Sequence, residues 1–208
     1  DLAYNAIPDE EILANLKADM FKYRTDAKLN QSSCFSALQE YIMYGPEYIR
    51  KTTMTDEQIK DITSEELLSK IREVLGCEHE IRYYGPATVA EVTELLKANH
   101  KVAENPKPLE RVYTKRLPAT ENKVYLAPYD AKQIYYFQYS NREEKLDLAA
   151  DPYHSLYNEY FGGGMNAIVF QEMREARGLA YSSNARLYLP SHKEDSYMYY
   201  AFIATQND

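Results

Sequence analysis

Tryptophan is missing from this chain of 208 residues, glycine occurs seven times, and cysteine only twice, at Cys34 and Cys77. Two cysteines exclude a disulfide scaffold and a cysteine-rich zinc site, and they leave the redox compartment undetermined. No apolar run exceeds a few residues, so no membrane-spanning helix is expected. No basic region leading into an apolar stretch follows Asp1, so no signal peptide is expected either. Basic residues are in deficit, 24 Lys and Arg against 32 Asp and Glu, for a net charge of -8. Phosphate-backbone binding needs clustered cations, so nucleic acid is not an expected partner. The expectation is a soluble protein of the cytoplasm or periplasm, with no membrane partner.

What is present is globular in character. The chain is 45% hydrophobic and 27% charged, close to the average of folded domains. Its length suits one to two domains. Tyrosine dominates the aromatics, 21 against six Phe, which favours strands and half-wet surfaces where the ring is covered and the hydroxyl hydrated.

Periodicity divides the chain near residue 103. Before it the pattern is helical. Ile12, Leu16, Met20, Tyr23 and Ala27 recur at three and four residues, an apolar stripe on a helix starting near Pro8. Phe35, Leu38, Ile42 and Met43 repeat the period until Gly45-Pro46 stops it. Thr63 with Glu66, and Thr88 with Glu91, read as capping boxes opening two further helices. EHEIRYYG, about 79–85, reads as a short strand.

Residues 104–122 carry three prolines and many charges without periodicity, the signature of a linker. Beyond it, KVYLAPYD and AKQIYYFQYS read as strands. In the second, Tyr135, Phe137 and Tyr139 share one face, with Ile134, Tyr136 and Gln138 on the other. DPYHSLYNEYF reads as a helix, followed by Gly162-Gly163-Gly164, a helix closed by Gly178, and the strands LAYSSNARLYL and SYMYYAFIAT. The expected fold is α+β: 1–103 as the helical end of one α+β domain, 104–122 as linker, and 123–208 as the start of a second, its antiparallel sheet carrying helices on one face. The first piece has several amphipathic helices and one strand, so the sheet they should cover is lacking. SYMYYAFIAT is expected at a sheet edge, where it would be prone to self-association. Either the chain is a section of something larger, which is the expectation, or a partner covers these faces.

Catalytic signatures are largely missing. The histidines, His79, His100, His154 and His192, show no spacing of three or four, and neither His-Glu-x-x-His nor His-x-x-Glu-His occurs. Cys77-Glu78-His79-Glu80 collects ligand types, but neighbours on a strand face opposite ways, so a structural role is expected there. No metal site and no cofactor are expected in this chain. There is no Gly-x-Ser-x-Gly elbow and no Gly-x-Gly-x-x-Gly loop.

The informative stretch is YFGGGMNAIVFQEMREARGLAYS, 160–182. Glycines permit close backbone approach before a helix. The helix ends on Arg174 and Arg177, and Gly178 lets the chain leave with positive φ. Arg174 and Tyr181 then stand across one turn, a rigid fork of donors beside a phenol, suited to gripping an extended peptide backbone. Arg174 as a solvated helix-end cation and Tyr181 as a core ring is the plainer alternative, and spacing alone favours it.

This run closely resembles a segment of the pitrilysin/insulinase family of zinc metallopeptidases that reads Gly-Gly-Gly, then Phe-Gln-Glu-x-Arg-Glu-x-Arg-Gly-Leu-Ala-Tyr-Ser. IRYYGP, 81–86, followed by a helix, resembles the end of the preceding homologous domain in that family. The resemblance implies a clamshell of two halves, each of two related α+β domains, around a chamber for peptides. One half holds zinc through His-x-x-Glu-His; the other has lost that motif and contributes an Arg and a Tyr seven residues apart, matched here by Arg174 and Tyr181. Gly162, Gly163 and Gly164 correspond to a backbone segment near the substrate channel. The implied function is part of a zinc metalloendopeptidase, inactive alone. Its partners would be a peptide substrate and a zinc-bearing half, on the same chain or a second subunit. The alternative is a non-proteolytic scaffold of the same fold.

Overall fold

The computed structural model describes residues 4–109, 113–131, 133–192 and 194–206; residues 110–112 of the expected linker lie outside them, as do Lys132 of AKQIYYFQYS and the ends of both expected domains. The architecture is α+β. Helices α1 (Glu10–Lys28), α2 (Gln31–Thr52), α3 (Asp56–Asp61), α4 (Ser64–Leu75) and α5 (Val89–Asn99) precede β1 (Gln133–Ser140). Then come α6 (Asp151–Phe161), α7 (Ile168–Phe170), a π-helical stretch (Gln171–Ala176), β2 (Ala180–Tyr188) and β3 (Met198–Gln206). No helix among the described residues is long and apolar enough to cross a membrane. The chain forms two compact units, one from the described residues of Asp1–Arg24 and Met54–Tyr113, the other from those of Thr25–Thr53 and Thr114–Asp208. One chain crossing between them therefore falls after Tyr113, and α2 belongs to the second unit.

In the first unit, local chemistry starts the helices. Thr63 accepts from the Glu66 backbone N–H while the Glu66 carboxylate accepts from the Thr63 N–H, and Thr88 with Glu91 does the same. Thr55 and Gln58 add a third such box at α3. Glu10 reaches from α1 to accept from both the N–H and the hydroxyl of Ser64, at 2.9 and 2.7 Å. The core is small, centred on Leu13 and Ile59. The stripe expected to be buried on α1 stays in solvent: Ile12, Leu16, Met20 and Tyr23 are all exposed, and Leu13, between them in sequence, is the buried residue. No sheet covers these helices among the described residues of the unit. EHEIRYYG is not a strand; it has no ladder partner, and only Cys77 just before it bridges to Lys107.

The second unit is built on a three-stranded antiparallel sheet in the order β1-β3-β2. SYMYYAFIAT, expected at an edge, is the central strand. Its backbone is paired on both sides, and the free edges belong to β1 and β2. The alternation on β1 holds: Ile134 and Tyr136 are exposed. On the other face the Phe35 ring of α2 lies 5.3 Å from Tyr135 and 5.8 Å from Phe202, edge-on or tilted, the geometry aromatic pairs prefer. KVYLAPYD does not form a strand: its alternation has no neighbouring backbone to bond, and Val124 and Leu126 are exposed. Gly45-Pro46 kinks α2 instead of ending it. Gly45 takes φ +77, proline supplies no N–H, and the helix resumes to Thr52; the Met43 carbonyl accepts from Leu117 N–H at 2.7 Å.

Candidate functional site

The stretch from α6 to β2 is assembled by backbone chemistry. Pro152 sits in the first turn of α6, where its missing N–H costs nothing. After the glycines, Gln171 Nε2 donates to the Met165 carbonyl at 2.6 Å, holding the loop against the following helix. That helix widens: Gln171–Ala176 is π-helical, which accommodates one residue more per turn than an α-helix and recurs at functional sites. Gly178 then turns the chain with φ +60, its N–H bonded to the Arg174 carbonyl at 3.1 Å, a left-handed cap that favours glycine.

The strand that follows is irregular where it begins. Ala180 faces Thr205 and Ser182 faces Ala204, so Tyr181 is the extra residue of a β-bulge. A bulge re-aims its side chain, and Tyr181 is 79% exposed while its neighbour Ala180 is buried. Two one-residue irregularities, one in a helix and one in a strand, thus sit on either side of one turn.

They bring Arg174 and Tyr181 together. The guanidinium carbon lies 5.2 Å from the Tyr181 ring centroid and 4.9 Å from that of Phe170, within cation–π range of both. The Arg174 side chain remains 42% exposed, and its one ion pair among the described residues is to Glu175, at 3.7 Å through Nε. Arg177 pairs with Glu172 at 3.4 Å. Arg174 therefore keeps a partly solvent-exposed guanidinium within reach of two aromatic rings. The core-ring alternative for Tyr181 does not describe this structure.

No family model matches the chain, and no curated protein does. Among solved structures, it is similar to the peptidase M16 inactive domain from Pseudomonas fluorescens, with a TM-score of 0.61 and 16% identity over 95% of this chain and 47% of that one. The two share a fold. The chain spans about half the length of that structure.

The three glycines do different things. A Cβ on Gly162 would overlap the Ala185 carbonyl oxygen, so this glycine lets α6 close on β2. One on Gly163 would stand 2.7 Å from the Asn158 carbonyl oxygen, and one on Gly164 would meet nothing within 4 Å. Phe170 and the bulge at Tyr181 escape sequence reasoning. The first looks like one more apolar helix residue, and the second depends on register with a strand more than twenty residues away.

Proposed function

We propose that this chain belongs to the zinc-less half of a pitrilysin/insulinase-type metalloendopeptidase and that Arg174 and Tyr181 bind the main chain of its peptide substrate. The observation that carries this is the exposed Arg174 guanidinium 5.2 Å from the centroid of the exposed Tyr181 ring, at the motif positions that resemble the family's substrate-binding pair. The shared fold with a peptidase M16 inactive domain supports it.

The residues of this chain do not fit the family's catalytic zinc. Among those described, no group of three or more His, Cys, Asp or Glu could hold a metal ion, and the sequence lacks His-x-x-Glu-His. Its contribution is binding and orientation. Guanidinium N–H groups donate to the carbonyl oxygens of an extended peptide, and charge-assisted bonds of this kind strengthen as negative charge develops on oxygen. The phenol O–H adds a donor beside them, and holding the two groups next to each other lowers the cost of positioning both. The zinc-bearing half, on the same chain or another subunit, would supply the hydrolytic step.

The test is kinetic, on the complete enzyme with its zinc-bearing half. Arg174→Ala should lower kcat/KM by about tenfold or more, the scale of a lost charge-assisted contact. Unchanged rates on several peptides would remove the assignment.

A further inference from the structure

We infer that His79 and His100, in the first unit, form a two-imidazole site for a borderline divalent transition cation such as Zn2+, Cu2+ or Ni2+. The two rings come from positions 21 residues apart, which is why no sequence spacing announces them, and their Nε2 atoms face each other at 2.7 Å. The tautomer of His79 follows from its other nitrogen. Nδ1 lies 3.0 Å from the Cys77 carbonyl oxygen, which only accepts, so Nδ1 carries the proton and Nε2 presents a lone pair. This is the arrangement by which metal-binding imidazoles are oriented: one nitrogen donates to a backbone carbonyl and the other is left for the metal.

Two facing ring nitrogens need something electropositive between them. Without a metal it is the proton that His100 donates. Imidazole nitrogens suit Zn, Cu and Ni, and a tetrahedral cation about 2.0–2.1 Å from each would set the nitrogens roughly 3.3 Å apart. The rings need separate by only a few tenths of an ångström, and they sit where they can, His79 exposed and His100 half-buried.

The backbones beneath them are fixed. Glu78 N–H donates to the Lys107 carbonyl at 2.8 Å, Lys107 N–H to the Gly76 carbonyl at 3.1 Å, and His100 N–H to the Leu96 carbonyl at 2.7 Å. His100 is also the C-cap of α5, the end of a helix that favours positive charge. Both histidines line an open cavity of about 570 Å³, which leaves room for waters to complete the coordination. Lys97, which lines the same cavity, is paired with Glu94 at 3.1 Å.

The experiment uses the chain freed of any affinity tag, titrated with Zn2+ alone by calorimetry and with Cu2+ alone by electron paramagnetic resonance. One cation should bind per chain, with two imidazole nitrogens on Cu2+. His79→Ala and His100→Ala should each weaken binding at least about tenfold while circular dichroism stays unchanged. Absence of saturable binding, single variants that bind like the parent, or a spectrum with a single imidazole nitrogen would each overturn the site.

Discussion

Asn158 holds the backbone of Leu187 by both of its polar groups: Nδ2 donates to the Leu187 carbonyl at 2.9 Å, and Oδ1 accepts from the Leu187 N–H at 2.8 Å. Leu187 lies on β2, an edge strand, and the pair of bonds occupies groups that an open edge would leave to other chains. Asn158→Ala leaves two half-buried backbone groups unpaired. The expected loss is about 2–3 kcal/mol, read by urea unfolding; a change of a few tenths would mean that water replaces the amide.

The glycines separate by substitution. Gly162→Ala forces a methyl into the backbone of Ala185 and should destabilise by about 1–3 kcal/mol, the cost of overpacking. Gly164→Ala meets open space and should leave the melting temperature nearly unchanged. Equal effects at both positions would contradict the packing described.

Arg174→Lys separates charge from shape. Lysine keeps the cation and loses the planar fork, so under the proposed peptide-binding role kcat/KM in the complete protein should fall nearly as far as with alanine. Tyr181→Phe keeps the ring beside Arg174 and removes the O–H alone, so its effect should be smaller than that of Tyr181→Ala. A lysine variant with parental activity would mean that charge alone suffices.

Acid should loosen the first unit at its helix starts. Hydrogen bonds from Ser64 hold the Glu10 carboxyl below its usual range, and those from Thr63 and Thr88 do the same for Glu66 and Glu91. A depressed carboxylate lends stability that is present above the unfolded value of roughly 4.3 and is lost as pH falls through the folded one. Replacing Glu66 and Glu91 by Gln keeps a side chain able to close the box and removes the titration. The double variant should therefore show a flatter stability profile below about pH 5; a profile as steep as the parent's would place the acid sensitivity elsewhere.

How far these features can be read from sequence depends on range. Thr63 with Glu66 and Thr88 with Glu91 were legible because a capping box is complete within four residues. Gly178 was legible because its positive φ closes a turn visible in the chain. The stripe Ile12-Leu16-Met20-Tyr23 correctly marked a helix and wrongly predicted its buried face, because which face is covered depends on neighbours. KVYLAPYD and EHEIRYYG have strand-like composition, yet a strand exists only where another backbone offers hydrogen bonds. The turn made an Arg174–Tyr181 pairing possible, but spacing alone favoured a solvated arginine and a core ring, and only the family resemblance pointed to the pair. The π-helical widening and the bulge that set its geometry were not legible, since each is a matter of register.

The strand order carries a consequence for synthesis. β1 and β2 do not bond to each other; each waits for β3, whose register with β1 joins Gln133 to Gln206. As the chain leaves the ribosome, both outer strands are out before the one that zips them, and closing so long a loop is slow. Through that interval β1 has unclaimed amides, the exposure that makes a partly folded chain prone to aggregate.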